Sequence, residues 1–418
     1  MKAESKTAPN KALQRSAARP LSAGRSTQTV GSDRILMALI ALLLATSAAG
    51  QVTEIIDATG DGMGNALIFA RGISVDGSGN VYVAGSMSDN VFRITPGGTI
   101  TEIIDATGDG LGNTMDSPET IAVDGSGNVF VGGALSDNVF KIATPSTCST
   151  GGIPCVITEI IDATGDGTNP LNALLTITVD GSDNVFVTGR FSVNAFKIAT
   201  PRGCSTGGTA CAITEIIDAT GDGMGNTLNE PYDIAVDGSG NAYVAGRTTH
   251  NAFKVTSGGV VTEIIDSAGD GMGNTLADVR GVAVDGLGNV FVAGFDSDNA
   301  FKITPGGIVT EIIDSTGDGM GDLLDSPWGI AVDGTGNVYV LGSISDNAFK
   351  VKPDGTIRKF IDSTGDGMGN TLDQPDRIVV DGSESVYLSG TASDNAFLIP
   401  ASDTPVELLG FSIDWDRQ

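Results

Sequence analysis

The sequence predicts an all-β protein, a seven-bladed β-propeller whose blades are four-stranded antiparallel sheets. The main observation is a repeat: the string Ile-Ile-Asp-Ala-Thr-Gly-Asp-Gly, or a close variant, occurs seven times in 418 residues. A repeat period of about 50 residues indicates stacked supersecondary units that share a core. The second observation is that every unit carries four short apolar runs separated by turn residues. The seven copies begin at Ile55, Ile103, Ile160, Ile216, Ile264, Ile312 and Phe360.

The second unit, Thr101–Pro145, shows the elements in order. Its four apolar runs are rich in Val, Ile, Phe and Thr and are too short for helices, so we interpret them as strands. Between them lie Asp-Gly-Ser-Gly-Asn and Ser-Asp-Asn segments, which are typical of tight turns. Four antiparallel strands per unit make one propeller blade, and seven units predict seven blades. The predicted strands of this unit are Thr101–Ile104, Thr120–Val123, Val129–Val131 and Val139–Ile142.

The order of the strands along the chain predicts how the ring closes. The first repeated strand, Val52–Ile56, is of the outer-strand type, whereas the last one, Ala396–Ile399, is of the third-strand type. The last blade therefore lacks its outer strand, and the N-terminal strand is free to supply it. Pairing the two strands would close the ring and remove two open sheet edges. An open β-solenoid would have no reason for this permuted start and end.

The segment Ile121-Ala-Val-Asp-Gly-Ser-Gly-Asn-Val-Phe-Val and its six relatives resemble NHL-type and bacterial β-propeller repeats. Such repeats have the pattern Gly-Ile-Ala-Val-Asp, a small turn, and Asn-Val-Tyr-Val. The resemblance extends over about residues 52–400 and implies the propeller fold. It implies less about function, because propellers of this kind serve as binding proteins, lyases and lactonases.

Both ends of the chain depart from the repeat, which gives three predicted regions. Residues 1–49 are an N-terminal extension with a secretory signal, residues 50–400 the propeller, and residues 401–418 a C-terminal tail. The signal is the apolar run Ile35–Thr46, which follows Arg34 and precedes small residues suited to cleavage near Ala49. An uncleaved anchor is the alternative, although the run is short for a membrane span. We therefore expect a secreted, periplasmic or cell-surface protein with no membrane segment in its mature form.

The four cysteines fit export. Cys148 and Cys155 flank one insertion, and Cys204 and Cys211 flank another, each where other copies have a short turn between the third and outer strands. Local pairing would tie the base of each lengthened hairpin, so we expect the disulfides Cys148–Cys155 and Cys204–Cys211. The spacing is not C-x-x-C, which argues against a zinc or redox site.

The composition limits the possible partners. Lys and Arg number 23 against 51 Asp and Glu, a net charge of −28. Such a surface repels nucleic acid and anionic membranes, and it attracts cations or basic partners. We expect a monomer that binds a protein or small-molecule partner of unknown identity.

The Asp-Gly-rich loop after each outer strand resembles a calcium loop in its spacing. It reads Asp-x-Thr-Gly-Asp-Gly-Met-Gly-Asn, with Asp at positions 1 and 5 and Gly at 6, and three copies also have Asp at position 12. Calcium is the predicted cofactor of these three copies. The alternative is that Asp and Gly only build a tight loop through side-chain to backbone bonds. The predicted ligands are Asp105, Asp109 and Asp116; Asp314, Asp318 and Asp325; and Asp362, Asp366 and Asp373.

A non-symmetric ligand site is predicted where the copies differ. The Asp-Gly loops and the Ser-Asp-Asn turns share one face of the ring, called here the top face. Near the axis of this face, two equivalent positions carry a different residue in almost every unit. Identical turns with divergent residues at the mouth indicate a scaffold that presents a binding surface, although exposed positions also drift freely. The predicted ligand-binding residues are Arg71, Glu119, Tyr232, Arg280, Trp328, Asp376, Arg190 and Arg247.

The leading interpretation of function is a secreted, non-catalytic propeller that binds a partner or ligand on its top face, with calcium stabilising the loops. The alternative is an enzyme of the streptogramin-lyase or gluconolactonase kind, and a third possibility is a structural surface protein. The weak catalytic candidate is His250, the only histidine, which replaces Asp in a Ser-Asp-Asn-type turn. It has no recognisable Glu partner, and a solvated turn residue is the competing interpretation.

Overall fold

Twenty-eight short strands form seven four-stranded antiparallel sheets in the part of the chain that the structure describes. The structure is a computed structural model, and it describes residues 51–143, 145–148, 155–199, 204 and 210–401. In six sheets four consecutive strands follow one another from the axis outwards, and in the seventh the first strand of the described chain lies beside the last three. The predicted seven-bladed propeller is confirmed.

Each blade has an inner strand of six residues and three further strands of four to six residues. Among the described residues one 3-10 turn, η1 (Pro145–Thr147), follows the third strand of the second blade. Blades 1 to 3 contain β2 (Ala70–Val75), β3 (Val81–Gly85), β4 (Asn90–Ile94), β5 (Ile100–Ile104), β6 (Pro118–Val123), β7 (Val129–Gly133), β8 (Asn138–Ala143), β9 (Val156–Ile161), β10 (Leu174–Val179), β11 (Val185–Gly189), β12 (Asn194–Ala199) and β13 (Ala212–Ile217). Blades 4 to 7 contain β14 (Pro231–Val236), β15 (Ala242–Gly246), β16 (Asn251–Val255), β17 (Val261–Ile265), β18 (Val279–Val284), β19 (Val290–Gly294), β20 (Asn299–Ile303), β21 (Val309–Ile313), β22 (Pro327–Val332), β23 (Val338–Gly342), β24 (Asn347–Val351), β25 (Ile357–Ile361), β26 (Pro375–Val380), β27 (Val386–Gly390), β28 (Asn395–Ile399) and β1 (Thr53–Ile56).

Several strands extend one or two residues beyond the predicted apolar runs. The strand predicted at Val139–Ile142, for example, begins at Asn138 because Asn138 pairs with Gly133 across the blade. The side chain of Asn138 is buried, and its Nδ2 donates to Thr114 O and Glu159 Oε1. A polar residue can therefore continue a buried strand when all its hydrogen bonds are supplied.

The N-terminal strand closes the ring as predicted. β1 pairs with β28 in the register Thr53↔Leu398, Glu54↔Phe397 and Ile56↔Ala396, with the same irregularity that the other outer strands show. Asn395 Nδ2 donates to Glu54 Oε1 at 2.9 Å, which reproduces within the last blade the contact between Asn138 and Glu159 in the second. The closing strand thus occupies the place that a consecutive outer strand fills elsewhere.

The hydrophobic core lies between neighbouring blades. Each of its seven clusters joins side chains from two adjacent sheets. In the cluster at the closure, Phe92, Val83 and Leu67 of the first blade region pack with Tyr387 and Ala396 of the last. Because an isolated blade would leave both of its faces exposed to water, each blade needs two neighbours to bury its apolar surface.

A hydrogen bond at the top face links most neighbouring blades. The Asp of the Ser-Asp-Asn turn uses Oδ1 to accept the backbone N–H of the residue just before the next inner strand, as Asp89 does from Ser117 at 2.8 Å. The closing junction has the same bond, from Phe69 N to Asp394 Oδ1. The other Asp acceptors are Asp137, Asp298 and Asp346.

Both predicted disulfides, Cys148–Cys155 and Cys204–Cys211, are present. Among the described residues, no helix is long and apolar enough to cross a membrane. The predicted secretory signal, and the C-terminal tail beyond residue 401, lie outside the described residues.

Ring closure by β1 gives the first testable prediction. A chain that begins at Asp57 lacks β1, so it exposes the edge of β28 and uncovers Ala396 and Tyr387. We expect this chain to aggregate or to unfold at a lower temperature than a chain that begins at Gly50, because an unpaired edge strand with an apolar face promotes association. Light scattering after size exclusion, with thermal unfolding, measures both effects. A monomeric truncated chain of equal stability would contradict the closure.

Candidate functional site

The top end of the propeller axis holds a cavity of about 390 Å³. The second residue of each inner strand points into this region, and residues that follow the second strands complete its wall. We call this cavity the mouth. Of the predicted ligand-binding residues, all but Asp376 line it directly. Its lining residues include Arg71, Glu119, Leu175, Arg190, Phe191, Tyr232, Arg247, Arg280 and Trp328.

Four arginines of the mouth form two chains of ion pairs with four carboxylates. On one side, Arg71 contacts Glu119 at 2.7 Å and Asp376 at 3.3 Å. On the other side, Arg190 and Arg247 share Glu230, at 2.8 and 2.9 Å. This chain continues from Arg247 to Asp278 at 2.8 Å and from Asp278 to Arg280 at 2.9 Å. The charges of the mouth are therefore balanced within a strongly acidic protein.

Partial burial changes how these carboxylates titrate. Burial disfavours the ionised form of Asp278, but hydrogen bonds from Arg280 and Arg247 outweigh it and lower the pKa of this carboxyl. Bidentate contacts to arginine fix the orientation of both groups. The arrangement holds the guanidinium groups in fixed orientations.

Aromatic rings pack against the same arginines. The Arg280 guanidinium lies 3.4 Å from the ring centroid of Phe295 and 4.4 Å from that of Trp328. Trp328 meets Tyr232 and Phe295 edge to face, with centroids 5.7 and 5.6 Å apart. Burial, with the neighbouring Asp376 carboxylate, raises the pKa of Tyr232 to about 12, so its hydroxyl stays protonated at neutral pH. The mouth thus combines planar rings with fixed hydrogen-bonding groups.

A second ion pair crosses the axis directly below the mouth. Arg377, on the inner strand of the seventh blade, reaches Asp233 on that of the fourth blade at 3.5 Å and donates to Thr176 Oγ1 of the third. The other Asp233 oxygen accepts Val282 N of the fifth blade. Burial raises the pKa of Asp233, and Arg377 opposes this rise. Four blades are therefore joined across the channel.

Below this ion pair the channel is lined mainly by apolar residues of the inner strands. Its volume is about 340 Å³, and its wall includes Ile234, Val282, Ile330 and Ile378. The Arg377–Asp233 pair forms the polar upper boundary of this space.

Three buried polar atoms without a hydrogen-bond partner belong to Arg71 and Trp328, which line the mouth, and to Asp376, which does not line it and whose Oδ1 lies 3.9 Å from Arg377 Nε. Among the described residues, four buried side-chain nitrogen or oxygen atoms have no hydrogen-bond partner, and three of them are Arg71 Nε, Trp328 Nε1 and Asp376 Oδ1. The approach of Arg71 Nε to Asp376 Oδ2 at 3.3 Å is an ion pair without hydrogen-bond geometry. These residues lie on the inner strands of blades 6, 7 and 1, which are neighbours around the ring. Unsatisfied buried polar groups are costly, so their concentration at one place indicates a site.

The structure does not bring the predicted calcium ligands together. Across the described ranges, no three His, Cys, Asp or Glu side chains form a group that could hold a metal ion. The Asp at position 1 instead caps its own loop, as Asp105 Oδ1 does by accepting Thr107 N and Oγ1. The Asp at position 5 does the same, because Asp109 accepts Leu111 N and Asn113 Nδ2. These bonds give the carboxylates a structural role without metal, and calcium binding stays a prediction.

Two of the three predicted calcium loops, those that begin at Asp314 and Asp362, already contact a cation. Lys359 replaces the Glu of the outer strand, and its Nζ lies 2.7 Å from Asp322 Oδ1 and 3.0 Å from Asp362 Oδ2. Hydrogen bonds from Thr364 and from Lys359 lower the pKa of Asp362 to about 2. We therefore rank the loop of Asp105, Asp109 and Asp116 above the loops of Asp314 and Asp362 as a calcium site.

His250 takes over the linking role of the turn Asp. Its Nδ1 accepts the backbone N–H of Asp278 at 2.8 Å, as Asp89 Oδ1 accepts that of Ser117. An imidazole nitrogen can replace a carboxylate oxygen as an acceptor, which explains the substitution. His250, the catalytic candidate, therefore takes part in a contact between two blades.

Four residues of the site were not singled out from the sequence: Glu230, Asp278, Asp233 and Arg377. Asp233 and Arg377 occupy the third position of their inner strands, where the other copies have only Gly or Thr. An Asp in one copy and an Arg in another, at a position that is otherwise Gly or Thr, were the signal in the sequence that could have identified this pair. Glu230 and Asp278 precede their inner strands, and both have a positive φ that hides them among turn residues.

The comparisons with known proteins agree with this fold. A family model described as a beta-propeller repeat matches residues 62–92 and 223–254. A search of curated proteins found no match in sequence. These matches cover two segments of the repeat, and the described residues form a seven-bladed β-propeller.

Solved propellers resemble the chain in fold. Virginiamycin B lyase from Staphylococcus aureus has 14% identity and a TM-score of 0.62, covering 84% of this chain and 99% of that one. A streptogramin B lyase has 13% identity and a TM-score of 0.60, covering 84% and 97%. The WD40 domain of Doa1 has 11% identity and a TM-score of 0.56, covering 84% and 98%. At such identities the likeness shows the fold alone.

The cross-axis ion pair predicts a pH-dependent loss of stability. Replacing Arg377→Met leaves the buried Asp233 carboxylate without its counter-charge, which typically costs about 3–5 kcal/mol. Burial already raises the pKa of Asp233, and the substitution raises it further. A group with a raised folded-state pKa loses stability as pH rises from its unfolded pKa through its folded pKa.

The difference in free energy of unfolding between wild type and Arg377→Met should therefore be larger at pH 7 than at pH 4. Chemical denaturation at the two pH values measures it. The double variant Asp233→Asn/Arg377→Met is the control, and it should show a smaller dependence on pH. An equal loss at both pH values in the single variant would mean that Asp233 is not the titrating group.

The calcium prediction can be tested by thermal unfolding with millimolar calcium and with a chelator. One site that binds only the folded state adds roughly 2.7 kcal/mol at a hundredfold excess over the dissociation constant. Replacing Asp109, Asp318 and Asp366 by Asn keeps an acceptor for the loop N–H groups but removes the charge, so this variant should lose the shift. No calcium-dependent shift in the wild type would leave the loops as turns only.

Proposed function

We propose that the protein is an exported binding protein that holds an uncharged, hydroxyl-rich small molecule, such as a saccharide, in the mouth. The observation that supports this most is the group of three unpartnered atoms on neighbouring strands, Arg71 Nε, Trp328 Nε1 and Asp376 Oδ1. Two are donors and one is an acceptor. A hydroxyl group both accepts and donates, so a polyhydroxylated ligand could satisfy all three.

The rest of the mouth supports the same class of ligand. Its four arginines are already paired with four carboxylates, which favours a neutral ligand over an anion. Trp328 is half-buried and supplies ring surface for the apolar faces of a sugar, and Phe191 is 61% exposed at the edge. The volume of about 390 Å³ falls within the usual range for small-molecule sites.

The fixed ion pairs and the cross-axis bond support a binding role. Groups held in place by arginine–carboxylate bonds lose little freedom when a ligand arrives, which favours affinity. An enzyme of the lyase or lactonase kind has less support, because His250 is engaged in the contact between blades and the likeness to lyases extends to the fold alone. The two disulfides support the exported location. Assignment of the repeats to the NHL type, like the monomeric state, remains part of this proposal.

Titration calorimetry with neutral monosaccharides and disaccharides at millimolar concentration tests the proposal. We expect binding that weakens at least about tenfold, or 1.4 kcal/mol, in Trp328→Phe and in Asp376→Asn. Trp328→Phe keeps a ring but removes the Nε1 donor, so it separates hydrogen bonding from stacking. Tyr339→Phe is the matched control, because it removes a hydroxyl that bonds Asp333 at the opposite end of a blade.

Glucuronate, an anionic sugar, is the comparison ligand and should bind more weakly than glucose. Binding of glucuronate without binding of neutral sugars would show that the ligand class is wrong. Sugar binding that Trp328→Phe and Asp376→Asn leave unchanged would place the site elsewhere. The absence of heat with the whole panel would contradict the proposal.

A further inference from the structure

The top face carries an unusual amount of exposed apolar surface away from the mouth. The described residues include sixteen exposed large apolar side chains, and twelve of them lie on the top loops and turns. Six occupy one equivalent position, the seventh residue of the Asp-Gly loop. We call these six residues the apolar rim. They are Met63, Leu111, Met224, Met272, Met320 and Met368.

The rim side chains are almost fully exposed. The five methionines are between 67% and 81% exposed, and Leu111 is 86% exposed. Because the loops follow the outer strands of six blades, the rim forms an arc around the mouth rather than part of it. Two more apolar side chains outside the mouth follow the second strands on the same face and broaden the surface. They are Met87 and Ile344.

The loop holds each rim residue outwards in a fixed conformation. In the first loop, Gly62 and Gly64 flank Met63 with φ of 70° and 112°, which residues with a side chain rarely adopt. The N–H of Met63 donates to Asp61 Oδ1 at 2.9 Å. The same bond is present in the loops of Met224, Met272, Met320 and Met368.

The third loop shows that folding does not require an apolar residue here. Thr168 takes the rim position in a loop that is one residue shorter than the others, and its N–H still donates to Asp166 Oδ1 at 2.8 Å. A polar residue is therefore compatible with the loop and its cap. In the other six loops the capping bond is made by the backbone N–H of the rim residue and does not depend on its side chain, and a group of exposed apolar side chains of this kind indicates an interaction surface.

The negative charges around the rim favour a partner with a positively charged surface. Every Asp-Gly loop carries Asp at positions 1 and 5, and the whole chain has a net charge of −28. Among the described residues, five of the seven arginines surround the axis, away from the rim. They are Arg71, Arg190, Arg247, Arg280 and Arg377. A second copy of this chain, or an anionic membrane, would be repelled by the loops.

We propose that the apolar rim is a docking surface for a segment of another protein that carries both basic and apolar side chains. The apolar side chains would bury the thioether and leucine groups, whose flexibility suits an irregular partner surface. The basic side chains would lie against the loop aspartates. This surface is separate from the mouth, so it can act whether or not the mouth holds a ligand.

Fluorescence anisotropy with three labelled synthetic peptides tests this proposal on the full chain. One peptide is amphipathic with Lys and Leu, the second replaces Leu by Ser, and the third replaces Lys by Glu. We expect the Lys–Leu peptide to bind at least about tenfold more tightly than either of the others, because only it matches both features of the rim. Its affinity should fall as salt is raised.

The matched variants locate the binding surface. Met224, Met272, Met320 and Met368 are changed together to Ser, which should weaken the Lys–Leu peptide at least about tenfold. The control changes Val260, Leu287 and Ile308 to Ser, which removes exposed apolar groups from the opposite face. Neither variant removes a buried side chain, and thermal unfolding verifies that both fold.

Three outcomes would overturn the proposal. The first is equal weakening by the rim variant and the control variant, and the second is equally tight binding of the Lys–Ser peptide. The third is an interaction of another kind that the rim variant abolishes. A dimer in sedimentation would mean that the occupant is a second copy of this chain, and binding to zwitterionic phosphatidylcholine vesicles would mean that it is a membrane. Sugar binding by the rim variant should equal that of the wild type, which keeps this test distinct from that of the mouth.

Discussion

Contact between neighbouring blades is the constraint on which the rest of this structure depends. No blade buries its own faces, and each core cluster draws side chains from two sheets, as Phe92 and Tyr387 do at the closure. Packing alone does not set where the next inner strand begins. The turn residue that accepts a backbone N–H of the next blade sets this position, because the donor is the residue just before that strand. Asp89 does this for Ser117, and His250 does it for Asp278. β1 completes the seventh blade with the same contacts, so the ring has no exceptional junction at its ends.

This constraint divides the residues of a repeat into two groups. Those that build blade contacts and turns are almost the same in every unit, since each junction needs the same bonds. The glycine at position 4 of the loop is one example: a Cβ on Gly60 would lie 2.0 Å from Asn65 O. Those that face the axis are free to differ, and they do. The Arg377–Asp233 pair needs a charge from each of two distant blades, which a symmetric ring could not supply.

The sequence was sufficient for the fold and for part of the site, for separate physical reasons. Strand periodicity, turn residues and the cysteine pairs are local signals, so the blades, the closure and the disulfides could be predicted. The mouth positions could be located by their divergence within the repeat. Their partners could not, because the pairing of Arg190 and Arg247 on Glu230 depends on the curvature of the ring. The calcium pattern was visible in the sequence, but its spacing fits two roles. Asp109 has the spacing of a calcium ligand, and in the structure its oxygens accept hydrogen bonds within their own loop.

The top face therefore has two zones with different physical characters. At the axis, arginines and carboxylates neutralise one another around aromatic rings, and Trp328 Nε1 has no hydrogen-bond partner. Around them, acidic loops display apolar side chains whose backbone is fixed by the same aspartates. A loop carboxylate therefore has two effects. Asp61 holds the backbone of Met63 by accepting its N–H, and it places a negative charge in the same loop as the Met63 thioether. In each loop that carries Met, the same backbone conformation sets the position of the Asp carboxylate and of the exposed Met side chain. A binding partner would therefore have to match a negative charge and an apolar group at a constant separation.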